Sequence, residues 1–156
     1  MPIHKVALLA LAASLAFTPL TFAQDTSTVV VDPAIAAMTV DQMVEARKSG
    51  MKQNGMTLRG AAALTGADAV AAATTLLQNF TNMPALFPEG SITASSKALP
   101  AIWENWDEFK AIFDADAEAA TLMLAAAQSG DNAAYTGAIQ KIGESCNTCH
   151  QKFRAP

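Results

Sequence analysis

The chain is poor in the residues on which several protein classes depend. Two cysteines in 156 residues permit at most one bridge, which excludes a disulfide-dense secreted scaffold. Charged residues make up only 15%, with ten Lys+Arg against fourteen Asp+Glu and a formal net charge of −4. That balance cannot build the strong basic footprint of a nucleic-acid binder. Aromatic residues are scarce at 6%. The 51% hydrophobic share is largely alanine, which favours helix over sheet. The length suits one compact domain and leaves no room for a second sizeable one.

No apolar run reaches membrane length. The longest, Val6 to Phe17, is twelve residues. As a helix it would rise about 18 Å, well short of the roughly 30 Å hydrocarbon core. Lys5 precedes it, Pro19 breaks it, and Thr21-Phe22-Ala23 closes on a small residue. Residues 1–23 therefore read as a secretory signal peptide cleaved near Ala23, with an N-terminal membrane anchor as the competing reading. Export places the mature chain in a periplasm, free of the membrane and with His150 as its single histidine.

The remaining pattern is helical. Residues 24–38 form a polar, β-branched lead to which no role attaches; it reads as a disordered arm. Thr39-Val40-Asp41-Gln42 fits a capping box and opens helix A. Val40, Met43 or Val44, Arg47, Met51 and Leu58 then share one face. Gly50, Gly55 and Gly60 interrupt that helix and call for a structural reason. Helix B is expected from Asp68 to Asn82, ending before Pro84. Residues 83–99 are rich in Pro, Gly and Ser and read as a loop. Helix C is expected from Pro100, as first helical residue, to Ser129. Its seam is Ile102, Trp106, Phe109, Phe113, Ala117, Ala120, Leu124 and Ala127. Gly130 ends it and Asp131 caps helix D, whose Tyr135, Ala138, Ile142, Cys146, Cys149 and Phe153 keep the same spacing. The expected fold is all-α, an antiparallel four-helix bundle over residues 39–156.

Helix D carries Cys146-Asn147-Thr148-Cys149-His150. Cys-x-x-Cys-His is the attachment pattern of c-type haem. Two thiols three residues apart share a helical face and can add to two vinyl groups along one porphyrin edge. His150, one turn beyond Cys146, can bring a neutral imidazole under the iron. A redox dithiol would sit after a strand at a helix N-terminus, and here the pair lies near the end of the last helix. A structural zinc site needs four ligands, and these three have no fourth. The group these residues point to is one covalent haem c, bound through Cys146 and Cys149.

With this motif on the last helix of a bundle, the chain resembles the cytochrome c′ family, including its low-spin, methionine-ligated relatives. Further segments support the resemblance in order: Arg47-Lys48-Ser49-Gly50-Met51-Lys52, Met83-Pro84-Ala85-Leu86-Phe87-Pro88, Ser95-Ser96-Lys97-Ala98-Leu99-Pro100-Ala101-Ile102-Trp103, and Ile142-Gly143 through Arg154. Class I cytochromes c carry the haem motif near the N-terminus instead. The resemblance implies His150 as proximal iron ligand and Arg154 beside it as a fixed charge that tunes the iron, or as a solvated helix end. It implies that Arg47 forks onto a haem propionate, with Lys48, Ser96 and Lys97 as weaker propionate contacts. Trp103, Trp106 and Phe109 read as core. Where the family often has Tyr, this chain has Phe153.

Met51 lies one turn after Arg47 and should face the haem's distal side. Three uses compete: sixth iron ligand in a low-spin electron carrier, wall of an open high-spin site for nitric oxide or another diatomic gas, or ordinary core filler. No nucleophile–base pair is recognisable, so the chain reads as a one-electron haem protein and not an enzyme. The expected partners are a redox protein, a diatomic gas, or a second copy packed through helices A and B. A haem-free exported dithiol protein is the remote alternative.

Overall fold

The computed structural model describes residues 29–156. The signal-peptide reading of residues 1–23 lies outside the described residues. Four long helices form the bundle: α1 (Val40–Ala61), α2 (Gly66–Asn82), α4 (Trp106–Ser129) and α5 (Asn132–Phe153), with a one-turn α3 (Ala101–Glu104) leading into α4. Among the described residues there is no strand, only an isolated antiparallel bridge between Ala98 and Arg154.

Local chemistry fixes several boundaries. At the start of α1, Gln42 N donates to Thr39 Oγ1 at 3.3 Å and Thr39 N donates to Gln42 Oε1 at 2.8 Å, completing the capping box. Asp131 Oδ1 accepts from Ala134 N at 3.0 Å and starts α5. Gly130 takes φ +74°, the left-handed conformation that closes α4.

Three boundaries differ from expectation. Helix α2 begins at Gly66, earlier than Asp68, because Gly66 supplies φ +55° for the turn out of α1. The expected third helix is split at Asn105, which leaves helical geometry at φ −130°, ψ 46°. Its Nδ2 donates to Ala101 O at 3.0 Å, so the side chain competes with the helical ladder. Pro100 is the N-cap of α3 and not its first residue. The described part of the lead is not a disordered arm: Pro33–Ala37 form a 3₁₀ turn that buries Ile35. Asp32 N donates to Asn82 Oδ1 and Gln78 Nε2 donates to Val30 O, tying this segment to the end of α2.

Helix α2 packs mainly on α4, and α4 on α5. Small residues make this possible: Ala69, Ala72 and Ala73 meet a face carrying Ala119, Ala120 and Met123, all buried. The alanines of α2 thus serve largely the monomer's own core. Phe109 sits at the hub of an aromatic cluster, with ring centroids of Phe87, Phe113 and Phe153 at 4.9, 5.1 and 5.3 Å. Helix α1 lies close to Met83, whose Cε would stand 3.1 Å from a Cβ at Gly50, so this glycine permits the contact. By contrast, α1 scarcely meets α5. The space between those two helices becomes the site.

Candidate cofactor site

A cavity of about 450 Å³ opens between α1, the loop before α3, and the end of α5. Its size falls in the ordinary range for small-molecule and cofactor pockets. Arg47, Lys48 and Met51 line it from α1, Ser96 and Lys97 from the loop, and Cys149, His150 and Arg154 from the C-terminal side. These eight sequence candidates are brought together. Cys146, one turn before Cys149, stands half-buried outside the lining. Phe109 is core, as expected, but also forms part of the cavity wall with Phe87 and Ile102. Trp103 is held away from it, donating from Nε1 to Phe87 O at 3.2 Å.

The two cysteines do not pair in a disulfide. Burial pushes Cys149 up to about 12, helped by the nearby carboxylate of Asp116 and then by Cys146. Burial and Asp116 likewise raise Cys146. A redox dithiol needs a stabilised thiolate, so this environment argues against that alternative. Among the described residues no three His, Cys, Asp or Glu side chains converge to hold a metal ion. Burial, and then repulsion from Arg154, lowers the pKa of His150. The imidazole therefore favours its neutral form, the form that ligates a metal.

Arg47 is the least expected group in geometry. It is only 4% exposed and, among the described residues, pairs with no carboxylate. Nη1 donates to Ser91 Oγ at 3.0 Å and Leu86 O at 3.4 Å; Nη2 donates to Ser91 O at 2.6 Å and Ser96 Oγ at 2.7 Å. Its guanidinium carbon lies 4.2 Å from the centre of the Phe87 ring. The fork expected for a propionate is thus spent on the loop. What remains is its Nε–H and an uncompensated buried positive charge. Ser96 Oγ also accepts from Ala98 N at 3.1 Å, which leaves its hydroxyl proton to donate. A buried cation with only neutral partners, next to a spare hydroxyl donor, fits a group that brings its own carboxylates.

The C-terminal segment clamps the same loop. Ala155 N donates to Lys97 O at 2.8 Å, Leu99 N to Phe153 O at 3.1 Å, and Lys97 Nζ to Pro156 O at 2.6 Å. Lys97 Nζ is therefore engaged by the chain terminus, and Arg154 is fixed beside His150.

Over residues 40–154 the chain matches the family model described as Cytochrome C'. The chain belongs to the cytochrome c′ family. It is 42% identical to a cytochrome c-556 of Agrobacterium tumefaciens over 121 residues, covering 71% of this chain and 95% of that protein. It is 33% identical to a cytochrome c′ of Rhodospirillum rubrum over 147 residues, covering 92% of this chain and 95% of that protein. Its fold matches the crystal structure of cytochrome c′ from Thermochromatium tepidum with a TM-score of 0.69 at 22% identity, over 76% of this chain and 99% of that one. As a member of this family the chain carries one haem c, tethered through Cys146 and Cys149.

Sequence reasoning missed Asp116. It lies on α4, 5% exposed, opposite the cysteine-bearing stretch of α5. A carboxylate spaced with Phe109, Phe113, Ala120 and Met123 on the buried face was the available signal. Burial raises its pKa from an ordinary 3.8 to about 6, against the opposing effects of the Ser145 side chain and Lys141. In the folded state Asp116 holds its proton to higher pH than in the unfolded chain. Its contribution is therefore most favourable below about pH 4 and is lost as pH rises through about 6. Asp116→Asn is expected to stabilise the holoprotein by about 1–2 kcal/mol above pH 6, after allowance for solvent screening, with the gain vanishing near pH 4. Urea midpoints at the two pH values test this; equal gains at both would contradict it.

Proposed function

We propose that the protein is an exported, periplasmic one-electron carrier, not an enzyme, whose haem iron is held by His150 on one side and Met51 on the other. One observation carries the reading: an imidazole from α5 and a thioether from α1 line the same cavity across the gap between those helices. Bound haem supplies a one-electron couple, and His/Met ligation raises its potential. The protein's own part is to present two neutral donors, exclude water with Phe87, Ile102 and Phe109, and set a positive charge from Arg154 beside His150. Arg47 contributes its buried charge and Nε–H toward a propionate, Ser96 its hydroxyl, and Lys48 a more exposed ammonium.

Support for export comes from the N-terminal sequence. Among the described residues no helix is long and apolar enough to cross a membrane. The exposed Gly60, Ala67 and Ala71 permit close approach of a second copy, and the proposed assembly is a homodimer through α1 and α2.

The second reading leaves iron five-coordinate, with Met51 as a wall and a diatomic gas as ligand. The apolar surface of Phe87, Ile102 and Phe109 beside Met51 favours it, since such a surface admits a small apolar molecule. The visible spectrum of the ferric protein separates the two. The carrier reading predicts a low-spin spectrum with a far-red sulfur-to-iron band that Met51→Ala abolishes, and no carbon monoxide uptake by the reduced wild type near neutral pH. A high-spin spectrum unchanged by the substitution would overturn it in favour of gas binding.

A further inference from the structure

Half of the chain's ten basic side chains line this cavity: Arg47, Lys48, Lys52, Lys97 and Arg154. None of the Asp or Glu side chains among the described residues lines it. Elsewhere among the described residues the balance is heavily acidic, since thirteen Asp+Glu are offset there by only four Lys+Arg. A molecule of formal charge −4 thus turns a positive face outward at its cofactor mouth.

Not all five charges are available. Arg47 is buried. Lys48 Nζ is paired with Glu45 at 2.8 Å, the carboxylate that also accepts from Ser95 Oγ. Lys52, Lys97 and Arg154 are exposed, and among the described residues none pairs with an Asp or Glu. Outside the mouth, Lys110 is paired with Asp114, and Lys152 with Glu108. Among the described residues five exposed Lys and Arg side chains pair with no Asp or Glu; Lys52, Lys97 and Arg154 stand at the mouth, where electrons must enter and leave, and Arg59 and Lys141 stand apart from it.

We propose that Lys52, Lys97 and Arg154 form the docking rim for a redox protein that presents a compact acidic patch. This rests on the haem-carrier reading above and deepens it. The choice of partner follows from charge complementarity. An anionic membrane is a broad plane that would meet the acidic remainder of the molecule as well as the rim, and would be repelled by it. A local acidic patch meets only the rim, so attraction orients the mouth toward the partner and raises the encounter rate.

The test uses the reduced holoprotein and hexacyanoferrate(III), a small anionic oxidant, with ionic strength varied between about 10 and 100 mM. If net charge governed the encounter, salt would screen repulsion and speed the reaction. The rim predicts the opposite sign: the rate falls about five- to tenfold across that range. Lys52→Glu should flatten this dependence, and Lys52→Glu with Lys97→Glu should reverse it. Lys110→Glu, with the same change in net charge as Lys52→Glu, should leave the rate within about twofold of wild type. Because Lys97 also holds the terminus, unchanged far-ultraviolet dichroism and Soret absorbance are required of the double variant; the single Lys52→Glu variant does not share that risk. At fixed ionic strength, excess oligoglutamate peptide should slow the reaction and oligolysine should not.

A rate that rises with salt in the wild type, or equal effects of Lys52→Glu and Lys110→Glu, would overturn the rim. So would sedimentation with phosphatidylglycerol vesicles that Lys52→Glu abolishes, which would assign the rim to a membrane. A sample without a Soret band would instead remove the haem reading, and the proposal with it, before any oxidant is added.

Discussion

Alanine at both Cys146 and Cys149 is expected to leave the chain without covalent haem. After denaturation and electrophoresis the wild type should retain its haem stain, and the double variant should show none. The reasoning is chemical. Two thiols on one face of α5 are the tether, each adding across a haem vinyl group to form a thioether. Cys149 is buried in the cavity wall, while Cys146 is half-buried beyond it. Either single alanine variant should keep a single thioether and a weaker stain. The double variant should also be markedly less stable, because a cavity of about 450 Å³ lined by Phe87, Ile102, Phe109 and Phe153 would lose the apolar group that fills it. Full haem retention in the denatured double variant would contradict the tether.

Replacing Arg47 should have the next largest effect, and it should appear in the loop more than in the haem. The side chain supplies four hydrogen bonds to residues 86–96 and stacks on Phe87. Arg47→Ala would strand Ser91, which is 1% exposed, with its hydroxyl and carbonyl unpaired. The expected cost is about 3 kcal/mol, read as a fall in the urea midpoint of the holoprotein without a change in slope. Arg47→Lys keeps the charge but not the planar fork, and should recover only about half of that loss. Trypsin should cut after the exposed Lys97 faster in Arg47→Ala than in wild type. Unchanged stability and unchanged cleavage would show that the loop does not depend on this guanidinium.

What the sequence disclosed, and what it withheld, follows from the range of the interactions. The capping box at Thr39, the cap at Asp131 and the left-handed Gly130 involve partners within four residues, so local pattern finds them. The Cys-x-x-Cys-His string sits within one and a half turns of a helix and is equally local. The break at Asn105 was hidden because the apolar spacing runs straight through it, and only the side-chain bond to Ala101 O marks the change. The lead looked structureless because its order depends on Asn82 and Gln78, about fifty residues away. Arg47 was found as a site residue, but its acceptors lie 39 to 49 positions further on, so their claim on its fork could not be seen. Asp116 was passed over although a carboxylate on a buried face is itself a signal.

The central proposal is that Met51 and His150, which line one cavity between α1 and α5, both ligate the iron. Proton magnetic resonance of the reduced wild-type protein addresses it directly. A ligating methionine places its methyl group over the macrocycle, whose ring current moves a three-proton singlet far upfield of every other resonance. The account predicts that singlet, and predicts its loss in Met51→Ala. A reduced protein with broad, paramagnetically shifted lines and no such upfield methyl would contradict it.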